Sequence, residues 1–278
     1  MIAAESVEVW SGKGPGDENF PVGSILIRRD LRPHVHAFYM FARNADDIAD
    51  SETLAADDKL ARLDRMEAVL RGTVAAGSPS AAALRATLPA SGVTPCHSID
   101  LLRAFRQDAV KTRYASWDEL LDYCRYSAMP VGRHVLDLHA EAAETHAPSD
   151  ALCAALQVLN HLQDCKGDLK TLDRSYLPAD MLEQAGARVE DVLTQAASPS
   201  LRQVFDGLLD RVDALNAVGR LLPGCVRDRR LRMETAVIAR LSLRLARRLR
   251  RADPIAGRVK LTKVDVAASL AAALRYAA

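Results

Sequence analysis

Two aspartate pairs with the same spacing stand out as chemistry in this 278-residue chain: Asp46 with Asp50, and Asp164 with Asp168. In a helix, residues four apart lie on one face, one turn above each other. Taking 100° per residue and Asp46 as zero, Asp50 lies at about +40°, Arg43 at about +60°, Tyr39 at about +20° and Val35 at about −20°. The apolar stripe expected of this helix is Val35, Phe38, Tyr39, Ala42, Ala45 and Ala49, so the charges fall within the stripe that should face inward. Burying two carboxylates costs several kcal/mol unless a metal ion, Arg43 or both compensate. The alternative is a helix end at which Asp46, Asp47 and Asp50 meet water. The second pair continues a polar strip, Gln157, Asn160, Asp164 and Asp168, with Leu152, Leu156, Leu159 and Leu162 on the other side. Alone, such a strip is a solvated surface. Two DxxxD pairs on facing helices would instead form an oxygen-rich cavity of the kind Mg²⁺ takes, leaving coordination positions for substrate phosphates. The chemistry suggested is departure of a diphosphate, assisted by metal and arginine.

The elements that must position these residues read as helical from Asp30 onward. Helices are expected over 31–50, 56–72, 80–87, 98–109, 117–141, 149–169, 189–195, 199–220, 228–252 and 262–276, with breaks at Gly77-Ser78-Pro79, Pro89, Pro95, His146-Ala147-Pro148, Pro178, Pro223-Gly224 and Pro254. Within 117–141, Pro130 removes a backbone donor and Gly132 permits close approach, so a kink is expected there. No repeat or alternating strand pattern interrupts this. The fold class is all-α: a flexible lead-in over 1–18, then one helical domain over 19–278.

Composition excludes other classes. Hydrophobic residues make up 49% of the chain, with only 14 Gly and 12 Pro, which argues against disorder or a fibrous repeat. The net charge of +1 conceals fourteen Lys/Arg against three acids between Arg220 and Lys263, leaving twenty-three bases against thirty-three acids elsewhere. Such a basic stretch suits a phosphorylated substrate, an anionic membrane surface or a solvated arginine-rich face. Nucleic acid is not an expected partner. Five cysteines without CxxC spacing fit reduced thiols in the cytoplasm. Met1 to Gly16 lacks the apolar core of a signal peptide, and the longest nearly apolar run, Val266 to Leu274, falls short of the roughly 20 residues a bilayer requires. Membrane contact is therefore expected to be peripheral. Gly12-Lys13-Gly14-Pro15-Gly16 has neither the Lys-Ser/Thr nor the preceding strand of a phosphate loop.

The segments Ala42-Arg43-Asn44-Ala45-Asp46-Asp47-Ile48-Ala49-Asp50, the run from Gln157 to Asp168, and Tyr176-Leu177-Pro178 resemble, in this order, the signatures of the squalene and phytoene synthase family of head-to-head prenyl synthases. The resemblance covers about 19–265 and implies a type I isoprenoid-synthase helical bundle around a central cavity. It also implies metal roles for Asp46, Asp50, Asp164, Asp168 and Asn160, with Gln157 beside them. Diphosphate contact is implied for Arg43 and Tyr123. Glu18-Asn19-Phe20-Pro21-Val22, Phe38 to Arg43 and Tyr126 to Arg133 look most like the bacterial hopanoid branch. Members of that branch ionise presqualene diphosphate, rearrange the cation and quench it with water. Candidates for the pocket are Phe20, Tyr39, Phe41, Val131 and Tyr176, ring faces being suited to a carbocation; Tyr123, Asn160 and Gln157 are candidates for positioning the water. The alternative implied is condensation of two farnesyl diphosphates to presqualene diphosphate, squalene or phytoene. Gln163 stands where condensing members usually place Arg, and Asn19 where Ser or His is more common, departures that would weaken condensation. No GxGxxG follows a strand, so no nicotinamide cofactor is expected. The basic segment from Arg247 to Arg251, with Arg258 and Lys260, is expected to dock at anionic lipid on the inner face of the membrane. Association with other squalene-pathway enzymes is a further expectation.

Overall fold

The computed structural model describes residues 6–12 and 26–276, all of them helical or in turns and irregular segments. These fall into two compact units, one formed by 1–111 and 133–141 and the other by 112–132 and 142–278.

The first unit holds α1 (Arg32–Ala49), α2 (Ala56–Arg71), α3 (Pro79–Ser91) and α4 (Cys96–Asp108). Local chemistry sets the ends. Ser78 accepts from the Ala81 N–H to start α3, and Gly72 and Gly92 close α2 and α3 at positive φ. The expected break at Pro89 is not found: α3 runs through it to Ser91. Near a C-terminus the proline removes only one ladder bond, and Gly92 N–H still reaches the Leu88 carbonyl. Phe38, Phe41, Ala45 and Ile48 of α1 interdigitate with Leu63, Met66 and Val69 of α2, Leu84 of α3 and Leu101 of α4. The core-facing stripe of α1 is thus rotated from the expected one, because Phe41 and Ile48 take the centre and Tyr39 and Ala42 flank it. Asp46 and Asp50 sit half-buried at the edge of this stripe, and the fully inward carboxylate is Asp47. The stretch read as a flexible lead-in is hydrogen-bonded over 6–12: Arg62 donates to the Val7 carbonyl at 2.7 Å, and Glu8 accepts from Ser78 Oγ at 2.9 Å.

The second unit is organised by α7 (His146–Leu172), 27 residues long. It packs against α5 (Trp117–Ser127), α9 (Pro199–Gly219) and α11 (Arg229–Arg251); α8 (Ala179–Ala185) lies on α9, and α10 (Leu222–Cys225) and α12 (Lys263–Ala273) on α11. Here α7 starts before Pro148, where a break was expected, because a first-turn proline lacks an N–H that has no helical partner anyway. The expected kink is a true break: Ala128 (φ −123°, ψ −47°) separates α5 from α6 (Met129–Leu138), and Pro130 falls in the first turn of α6. The 189–195 helix is a 3₁₀ turn over Val189–Leu193. Gly219 lets α9 approach α7 so closely that a Cβ there would lie 3.0 Å from Leu152 Cα.

Candidate active site

In the first unit, the end of α1 supplies Arg43, Asp46 and Asp50. The Arg43 guanidinium pairs with Asp46 and lies 3.4 Å from Asp47 Oδ1. Asp47 also accepts from the Ser11 N–H at 3.0 Å, and Asn44 donates to the Val9 carbonyl. Asp47 and Asn44 therefore hold the 6–12 segment along α1, leaving Asp46 and Asp50 at its edge. Tyr39 is half-buried on the side of the aspartates, whereas Phe41 is fully enclosed in the core. Phe20 and the rest of the Glu18–Val22 motif lie outside the described residues.

In the second unit, Gln157, Asn160, Asp164 and Asp168 form the expected strip on α7, each half-buried. Asp164 pairs with Arg258 at 3.0 Å. Gln163 does not join the strip: it is buried and donates to the Val259 carbonyl. Lys166 Nζ donates to the carbonyls of Thr194 at 2.7 Å and Ile255 at 3.1 Å. The segment that follows α11 is thereby fastened along α7 at its acidic end.

The structure brings Tyr123 and Tyr176 together, their hydroxyls 3.4 Å apart, and Arg174 donates to the Tyr176 hydroxyl at 3.3 Å. The His161 ring stacks on Tyr176 at 3.5 Å between centroids, and Tyr114 stacks from another side at 5.4 Å. Burial, with the positive charge of Arg174 nearby, lowers the His161 imidazole to about 3. The ring is therefore neutral at physiological pH. Val131, at the start of α6, is 42% exposed.

Three residues of this arrangement escaped the sequence reading. His161 had a signal, since it lies only about 60° round the helix from Asp164. Arg174 follows directly after the C-cap of α7, two residues before Tyr176. Arg258 was assigned to lipid because it lies in a basic run, and no local pattern connects it to Asp164.

The donor set is all oxygen: two carboxylates per helix, with amide oxygens from Gln157 and Asn160 on α7. Among the described residues no three His, Cys, Asp or Glu side chains converge into a cage. A cation held by either pair would complete its shell with water and phosphate oxygens, the habit of Mg²⁺.

Residues 14–265 match the family model described as squalene/phytoene synthase. The chain is 49% identical over 258 residues to a hydroxysqualene synthase of Rhodopseudomonas palustris, covering 93% of this chain and 88% of that one. It is 45% identical over 257 residues to a hydroxysqualene synthase of Zymomonas mobilis, covering 92% and 86%. The crystal structure of a squalene synthase from Alicyclobacillus acidocaldarius superposes with a TM-score of 0.74 at 37% identity, covering 83% of this chain and 87% of that one.

Proposed function

The chain belongs to the squalene/phytoene synthase family, and from that membership we propose that it is a hydroxysqualene synthase, converting presqualene diphosphate and water to hydroxysqualene and diphosphate. The observation that carries the reading is the near half identity to hydroxysqualene synthases along almost the whole chain, with both aspartate pairs intact.

The reaction needs three things of the protein. A C–O bond must break heterolytically, with both electrons leaving on the diphosphate. The cyclopropylcarbinyl cation must rearrange without being trapped early. One water must then add at a single carbon, losing its proton. Asp46 and Asp50 of the first unit, and Asp164 and Asp168 with Asn160 of the second, would each hold Mg²⁺, whose charge would offset that developing on a departing diphosphate. Arg43, oriented by Asp46 and Asp47, would add fixed positive charge beside the first pair, and Arg258, oriented by Asp164, would do so beside the second, which favours a leaving group that becomes more anionic.

The Tyr123, Tyr176 and His161 cluster suits the cation. The stacked rings present π faces, and the neutral His161 adds no repelling charge. Val131 of the second unit and Tyr39 of the first would contact the prenyl chain, whereas the enclosed Phe41 sets the packing of α1. Tyr123, Asn160 and Gln157 are the groups that orient the water. The chain acts in the cytoplasm, in keeping with five free thiols, none in a disulfide, and alongside other enzymes that use the same prenyl intermediates.

Incubation of the purified protein and Mg²⁺ separately with presqualene diphosphate and farnesyl diphosphate tests this, with extracted products identified by mass spectrometry. Hydroxysqualene from presqualene diphosphate is expected. Turnover of farnesyl diphosphate to presqualene diphosphate, squalene or phytoene, with presqualene diphosphate left untouched, would make the chain a condensing member instead.

A further inference from the structure

Helix α12 has its polarity reversed. Its buried positions against α11 are Asp265, Ser269 and Ala273, while its outward positions between 264 and 274 are Val264, Val266, Ala267, Leu270, Ala271 and Leu274. Not one outward residue in that span is polar. Val264 is 74% exposed, Leu274 62%, Leu270 44% and Val266 40%. Val266, Leu270 and Leu274 follow at four-residue intervals and form one continuous ridge. The buried Asp265 is fully engaged: it caps α12 through Thr262 and pairs with Arg248 at 2.6 Å and Arg244 at 3.3 Å.

Beside α12, and reaching its buried Asp265, a cleft of about 830 Å³ is lined by Arg244, Arg247, Arg248, Arg251, Arg258 and Lys260. Its two carboxylates are both occupied, Asp265 as above and Asp253 by the N–H groups of Ala197 at 2.8 Å and Ile255 at 2.9 Å. Arg247, Arg251 and Lys260 have no carboxylate partner among the described residues. Lys263 begins α12 and Arg275 follows it, the latter stacked over Tyr276 at 4.9 Å.

An exposed apolar ridge calls for a cover, and the charges decide which. A second copy docked through this same face would bring cleft cations against cleft cations, because the ridge carries no outward acid to meet them. An anionic bilayer satisfies both features: acyl chains take the Val and Leu side chains, and lipid phosphates take the guanidinium and ammonium groups. Cations at the two ends of the helix can reach back to headgroups while their stems stay apolar. We infer that the outward face of α12 and the basic cleft beside it form a membrane-docking surface selective for anionic lipid. This inference is independent of the reaction assigned above.

The test is cosedimentation of the full chain with vesicles of pure phosphatidylcholine and of phosphatidylcholine mixed with phosphatidylglycerol. The protein should pellet with the anionic vesicles, less so as salt rises. Leu270→Glu with Leu274→Glu, and separately Arg247→Glu with Lys260→Glu, should each weaken partitioning about tenfold or more. Helical content and turnover of presqualene diphosphate in detergent should stay at wild-type levels. Undiminished binding by either double variant, or equal binding to both vesicle types, would overturn the inference. So would a wild-type dimer that the leucine variant converts to monomers without any change in vesicle binding.

Discussion

The Arg258 guanidinium lies 3.0 and 3.1 Å from the two carboxylate oxygens of Asp164, ninety-four residues earlier in the chain. With Gln163 and Lys166 it makes three consecutive fastenings between α7 and the segment after α11. The acidic strip of the second unit therefore carries its own cation. We expect Arg258→Gln to lower kcat/KM for presqualene diphosphate about 10- to 100-fold, read as diphosphate release, with an unchanged far-ultraviolet circular dichroism spectrum. A rate within twofold of wild type would show that the pair serves structure only.

The two aspartate pairs should be separately indispensable. Asp46→Asn and Asp164→Asn keep size and hydrogen bonding while removing the charge a hard cation needs, so each should cost about 10³-fold or more in turnover. Chelation of divalent ions should abolish activity and added Mg²⁺ should restore it. Helical content should hold in both variants, since each side chain is half-buried and outside the apolar contacts.

Gly132, in the first turn of α6, faces Ser149 and Cys153 of α7. A Cβ built there would sit 2.7 Å from Cys153 Sγ and closer still to Ser149 Oγ. Gly132→Ala should lower stability by about 1–3 kcal/mol in urea titration. Adding Ser149→Ala should return part of that loss, because the nearest obstructing atom is then gone.

Acid should destabilise the first unit through His134. Its ring stacks on Phe38 at 3.8 Å, and burial, reinforced by the neighbouring His97, lowers it from 6.5 to about 3. The folded state thus excludes a proton that the unfolded chain accepts below pH 6.5. The stability this contributes is complete above pH 6.5 and is lost as pH falls toward 3, at about 1.4 kcal/mol per pH unit. His134→Phe keeps the stack and removes the proton site, so the dependence of melting temperature on pH in that window should flatten. An unchanged slope would assign the effect elsewhere.

Much was legible in the sequence because the signals are local. Helix existence follows from apolar periodicity and from caps such as Ser78, Ser116 and Asp228, each acting within three residues of its partner. The Gln157, Asn160, Asp164, Asp168 strip follows from helical spacing alone, and the break near Pro130 from the chemistry of one residue. The rotation of α1 was not legible. Periodicity puts Tyr39 inside the inward stripe and Phe41 outside it, and the reverse burial depends on the shape that Leu63, Met66 and Leu101 offer.

The same division holds for the site. Local sequence determined an all-helical chain of the squalene/phytoene synthase family with two acidic pairs, because one-turn spacings place side chains on a face whatever surrounds them. Only the tertiary structure decided that Asp47 anchors the 6–12 segment, that Gln163 turns to the Val259 carbonyl, that Tyr176 stacks on His161, and that α12 shows its apolar residues to solvent. Each joins groups distant in sequence, or depends on which face a neighbouring helix covers, and neither is encoded in a window of one or two turns.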